Sequence, residues 1–324
     1  MFEYQRLDLR GSGFRLVRLQ KGDGVMIECE LIHTTLDDNV IPYEAVSYTW
    51  GALKRERHVY VKGEILPVTS NLWQVLYDLR RPDIDRYLWV DGVCINQDDN
   101  IERGHQVQQM KDIYQRADHG IFYLSPYTDI VQVIMASLTL LQKKVAGTHW
   151  PTKDERWGSA WQKVRRELPT GSNVLQMRGL TYLLNCSFFS RVWILQEVAS
   201  VCRSSVYCGT ASISAHIFAM GPPLLGIAQN PHIRAILTLM RRPLCARAIP
   251  FRRSLACLLQ NFGLSKASDE RDRIYALLGL CETRKNAQSI TPDYTLSIGI
   301  VVERALAHIY VISVAYRSPS QLLR

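Results

Sequence analysis

The chain of 324 residues lacks most of the signatures that assign a chemistry directly. It contains no GxGxxG and no GxxxxGK[ST], which excludes the usual glycine-rich cradles for dinucleotides and nucleotide phosphates. The absence of GxSxG removes the nucleophile elbow of serine hydrolases. Its eight cysteines (Cys29, Cys94, Cys186, Cys202, Cys208, Cys245, Cys257 and Cys281) form no close CxxC pair, so no metal is expected, and reduced thiols in a cytoplasmic setting are the economical reading. The opening "MFEYQRLDLR" has no apolar core behind a basic start, which argues against a secretory signal. Long apolar runs are also missing. Ile130–Leu141 is too short for a bilayer, and the stretch from Ile298 to Tyr316 is interrupted by Glu303, Arg304 and His308, so no membrane span is expected. Internal repeats and low-complexity tracts are absent.

What is present suits a folded protein with a large core: 47% hydrophobic and 21% charged residues. The net charge of +9 is uneven. Between Pro231 and Arg273 nine basic residues face Asp269, Glu270 and Asp272, a local net of +6. Without interleaved aromatics or a binding motif this reads as a solvated basic face, and nucleic acid is disfavoured as a partner.

Hydrophobic periodicity divides the chain. "FRLVRL" and "VMIECELIH" read as strands around the turn-prone "KGDG", and "HVYVKGEILPV" as a hairpin turning at Lys62–Gly63. "TSNLWQVLYDL" reads as a helix capped by Thr69 or Ser70, with Leu72, Val75, Leu76 and Leu79 on one face. "YLWVD", the loop "NQDDN", a helix carrying Val107, Met110, Ile113 and Tyr114, and "GIFYL" form a βαβ unit with parallel strands. Asp99 and Glu102 have the spacing of a capping box. "HWPTKDERWGSAW" is expected as an exposed, irregular insertion, "NVLQMRGLTYLLN" and "SRVWILQEVA" as helices, and "SSVYCG" as the last strand. Helices alone are expected beyond Ser212.

Three stretches, "YEAVSYTWG" at 43–51, "LWVDGVCINQDDNIERGHQVQQMKDIYQRA" at 88–117 and "FFSRVWILQEVA" at 188–199, resemble in order the fungal heterokaryon-incompatibility (HET) domain family. "SDERDRIYALLGL" and "ITPDYTLSIGIVVERAL" resemble the helical region that follows that domain in long members. The resemblance implies an α/β fold, a TIR-like or flavodoxin-like mainly parallel sheet flanked by helices, with N-terminal β-hairpins and a C-terminal helical extension. The expected division is an N-terminal β segment at 1–42, the HET domain at 43–211 and a helical extension at 212–324, where longer relatives continue past "SPSQLLR". It also implies a role in non-self recognition and regulated cell death, with protein partners from that pathway and self-association. Through the remote likeness to TIR domains it implies NAD as a substrate, cleaved at the nicotinamide glycosidic bond by a glutamate in a Trp-x-x-x-Glu pattern, here Trp193 and Glu197.

If the helix runs from Ser190, then Ser190, Trp193 and Glu197 share one face. A carboxylate beside an indole suits stabilisation of an oxocarbenium-like ribose, which makes Glu197 the catalytic candidate. The alternative is structural: Glu197 pairs with Arg191 or Arg178, as buried carboxylates usually do. Trp50, Asp91, Asn96, Gln97 and Trp193 are candidate ligand-binding residues, since ends of parallel strands are where open α/β sheets place ligands. Asp91 and Asn96 could equally tie down the "DGVCINQ" loop, and Trp50 could be core. His105 is expected at the surface or at a cap. The geometric expectation is that Trp193, Glu197 and the loop after the 88–91 strand open onto one crevice.

Overall fold

The computed structural model of the chain describes residues 1–37, 41–52, 54–148, 150–241, 254–263, 265–281 and 290–316. Local chemistry places the first elements where the sequence does. β1 (Gly13–Leu19) and β2 (Glu28–Thr35) pair antiparallel, followed by β3 (Glu44–Ser47) and the hairpin of β4 (Arg57–Val61) and β5 (Glu64–Val68). Lys62 and Gly63 both take positive φ, 51° and 83°, the mirror-image turn whose twist matches a two-residue hairpin. In α1 (Ser70–Leu79) the Thr69 side chain accepts from the Leu72 amide, and Leu72, Val75, Leu76 and Leu79 are buried.

β6 (Arg86–Trp89), α2 (Asp91–Cys94), α3 (Asn100–Arg116) and β7 (His119–Ser125) form the predicted βαβ unit. Asp99 caps α3 by accepting from the amides of Ile101 and Glu102. The capping box is not closed, because Glu102 turns inward to Arg15 and to the Asn96 amide. α4 (Asp129–Lys144), α5 (Arg156–Glu167) and α6 (Ser172–Leu184) follow. α5 corrects the expected irregular insertion: its Trp157, Ala160, Trp161 and Val164 recur at helical spacing and are buried, a stripe masked in the sequence by the charges around it.

The next expected helix is also corrected. A 3-10 turn at Ser187–Ser190 is followed by an extended Arg191, and α7 (Ile194–Ser200) starts only after Trp193, its N-cap. The Lys266 amide donates to the Ser190 carbonyl (2.7 Å) and the Val192 amide to the Lys266 carbonyl (3.0 Å), so a tertiary backbone pairing supplants one turn of helix. Ser190 therefore does not share a helical face with Glu197, whereas Trp193 stands one turn before it and its carbonyl accepts from the Glu197 amide (3.1 Å). β8 (Ser204–Cys208) is followed by a short β9 (Ala211–Ser214), which reaches past the expected last strand and spans the 211/212 boundary. α8 (Ala215–Leu225), α9 (Pro231–Met240), α10 (Leu255–Phe262), α11 (Asp272–Leu278) and α12 (Ile298–Tyr316) complete the described chain. Arg242, Arg247, Arg252 and Arg253 of the basic 231–273 segment lie outside the described residues.

All nine described strands belong to one sheet in the order β5-β4-β2-β1-β6-β3-β7-β8-β9. At its centre β6, β3, β7 and β8 are parallel. In sequence they are the second, first, third and fourth of that set, the flavodoxin-like order with its switch point between β3 and β7. The α/β class thus holds, and the N-terminal strands extend the same sheet, with Val17 of β1 opposite Leu88 of β6. β3 is buried from Ala45 to Ser47, with Tyr114 of α3 donating its hydroxyl to the Val46 carbonyl (3.1 Å). No described helix is long and apolar enough to cross a membrane.

A buried charge cluster and a cleft at the strand ends

The parallel strands deliver Ser47 and Tyr48 from β3 and Asp91 from β6 to the same end of the sheet. From the other side the extended Arg191 sends its guanidinium back, donating to the Tyr48 carbonyl and standing 3.5 Å from the Glu197 carboxylate. The Ser47 hydroxyl donates to the second oxygen of Glu197. Glu197 is 1% exposed and Arg191 16%. Of the two structural partners the sequence offered, Arg191 is the one used; Arg178 lies exposed on α6.

Burial raises the pKa of Glu197, against the opposing pull of Arg191 and the Ser47 hydrogen bond, with Asp91 adding to the rise. Burial likewise raises Asp91, opposed by Arg191, the Trp50 indole and the Gly92 amide. Arg191 pairs directly with Glu197 and acts on Asp91 only through space, so two poorly solvated carboxylates lie near one guanidinium, an arrangement that favours retention of a proton. Tyr48 and Tyr114, beside the same charges, are pushed well above the usual phenol range, mainly by burial.

The ligand-binding candidates separate. Asp91 accepts from the Trp50 indole (2.9 Å) and the Gly92 amide (2.7 Å), and its carbonyl accepts from the Gln97 side chain (2.8 Å). Asn96 serves its own loop: its amide donates to Glu102 (2.7 Å), and its side-chain oxygen accepts from the Asp98 amide (3.2 Å). Trp193 faces away, its indole hydrogen-bonded to Asp272, which also accepts from the Tyr294 hydroxyl (2.5 Å). His105 bonds the Gly11 carbonyl (2.9 Å) rather than any of these groups.

Beside the cluster lies a cleft of about 200 Å³. Trp50 and Gln97 line it, together with Tyr4, Tyr48, Arg55 and Leu72 among others, whereas Asp91, Asn96, Trp193 and Glu197 do not. The one crevice expected for Trp193, Glu197 and the 88–91 loop is therefore not formed. Tyr4 and Arg55 carried no local signal, since both reach the cleft from segments remote in sequence. Tyr48 stands inside the first quoted stretch, but alternation along a strand indicates a face and not a neighbour.

A second buried pair also went unread. Arg15 of β1 meets Glu102 of α3 through two hydrogen bonds, 2.6 and 2.9 Å, with side chains 1% and 4% exposed. Arg15 donates further to the carbonyls of Cys94 (3.1 Å) and Gln5 (2.6 Å).

Fold and site define an open α/β domain whose strand ends converge on a buried arginine–carboxylate cluster. Residues 43–197 match the family described as Heterokaryon incompatibility protein (HET), which supports assigning this domain to that family. It is 28% identical to heterokaryon incompatibility protein 6, OR allele, of Neurospora crassa, over 79% of this chain and 45% of that protein. The chain thus spans less than half the length of this relative. No solved structure matches it.

Proposed function

We propose that the protein acts in heterokaryon incompatibility as a non-catalytic signalling module that works through protein contacts. The HET domain and the similarity to an incompatibility protein support the process. One observation favours the non-catalytic mode: Glu197 is enclosed between Arg191 and Ser47 and does not line the cleft. The three stretches that carry the family resemblance meet there, Ser47 from the first, Asp91 from the second, and Arg191 and Glu197 from the third. Their shared chemistry is consistent with holding the domain together. Partners from the incompatibility pathway and self-association in the cytoplasm belong to this reading.

The second reading is cleavage of NAD at the nicotinamide glycosidic bond, in the manner of a TIR-like enzyme. It draws on the flavodoxin-like strand order and on the cleft at the strand ends, with Trp50 and Gln97 in its wall. It requires Glu197 to leave Arg191 and reach that cleft. Incubating the purified chain at high concentration with NAD separates the two. No NAD loss, together with growth arrest on expression in fungal cells that Glu197→Gln leaves intact, is the expected result. NAD loss abolished by Glu197→Gln would establish the enzyme instead.

A further inference from the structure

Tyr48 is 2% exposed, yet its hydroxyl makes no hydrogen bond with any described residue, while Tyr114 and Tyr43 nearby each donate to a carbonyl. The ring is enclosed but the hydroxyl reaches the cleft, so its proton is free to meet an acceptor that enters there. The hydroxyl lies at the wall of the cleft beside Gly92. A Cβ added at Gly92 would stand 2.5 Å from the Tyr48 hydroxyl oxygen and 2.9 Å from Leu72, so glycine keeps this corner open. Burial and the neighbouring Asp91 keep the phenol protonated, which makes it a donor.

The remaining walls define what would accept that proton. Leu66, Val68 and Leu72 are apolar, and the Trp50 ring adds a flat surface whose N–H is already committed to Asp91. At the rim Arg55 and Asp98 neutralise each other through two 3.1 Å hydrogen bonds, so no net charge is presented. A cavity of about 150 Å³ suffices for benzene, and 200 Å³ leaves room for one small substituent. From these features the geometry points to a binding site for a small, uncharged, planar molecule that carries one carbonyl-type acceptor, received by the Tyr48 hydroxyl. Binding there involves no bond cleavage and no contact with the Glu197 carboxylate, which does not line the cleft.

Acetophenone and α-methylstyrene have nearly the same shape, the second having CH2 in place of the carbonyl oxygen. Ligand-observed NMR titration of the full chain with each probe tests the site. The wild type is expected to bind acetophenone about five- to tenfold more tightly than α-methylstyrene, the worth of one hydrogen bond. Tyr48→Phe should erase that difference and leave Tm within about 2 °C of wild type, since no internal hydrogen bond is lost. Failure of the wild type to bind acetophenone, equal binding of the two probes, or discrimination retained in Tyr48→Phe would overturn the site. A fall in Tm of several degrees in Tyr48→Phe would do the same, because it would reveal an internal partner for the hydroxyl.

Discussion

Arg15 and Glu102 meet through two short hydrogen bonds, and the spare valences of both are taken up by the Gln5 and Cys94 carbonyls and the Asn96 amide. Arg191 and Glu197 stand 3.5 Å apart, and the same guanidinium also answers Asp91 and the Tyr48 carbonyl. The first pair is balanced, one cation against one anion, and stitches β1 to α3. The second is one cation against two carboxylates. Burial alone therefore does not set the role of a pair: the first arrangement is locked by geometry, whereas the second carries an uncompensated charge that protonation can remove.

The largest loss of stability is expected at the balanced pair. Glu102→Ala would leave Arg15 buried without its anion and is expected to cost about 3–5 kcal/mol in urea unfolding. Removing both charges by Arg15→Met with Glu102→Leu should recover most of that loss. Arg191→Met comes next, at about 2–4 kcal/mol near pH 8, because two carboxylates then face each other without a cation. Its distinguishing mark is recovery toward pH 5, where the acids take up protons. Glu102→Ala should show no comparable recovery.

The pH dependence of the wild type separates the two pairs as well. The folded pKa values of Glu197 and Asp91 lie above their ordinary values. The folded state therefore holds protons that the unfolded chain releases. Their contribution to stability is complete below about pH 4, near the unfolded values, and is lost as pH rises through the folded ones. Glu197→Gln should flatten this slope while changing stability at pH 7 by about 1 kcal/mol or less. Urea unfolding midpoints from pH 4 to 9, wild type against variant, measure it; an unchanged slope would place the excess charge elsewhere. Trp50→Phe, which removes one hydrogen bond from Asp91, is expected to cost a similar amount, about 1 kcal/mol, and should raise the proton affinity of that acid further.

Much of the scaffold was legible because its signals are local. The Thr69 cap, the Lys62–Gly63 turn, the apolar stripe of α1 and the βαβ unit from Arg86 to Ser125 each follow from residues within a few positions of one another. Where the reading failed, a distant segment decided. The helix expected from Ser190 is interrupted because Lys266 pairs with the backbone on either side of Arg191. Trp193 turned to Asp272, 79 positions away, rather than to the acid four residues on. α5 was missed for a different reason: its buried tryptophans are outnumbered by charges that all face water.

Caps, turns and apolar periodicity are short-range and the three motif stretches are specific, so the family resemblance, the α/β class and the candidate acid Glu197 could be read along the chain. Only the tertiary structure decided that Glu197 closes on Arg191 instead of opening to a cleft, and that Tyr48 lines that cleft with an unclaimed proton. Charges and hydroxyls act through distance and exclusion from water, and both are set by segments far apart in the chain, 150 positions for Ser47 and Glu197.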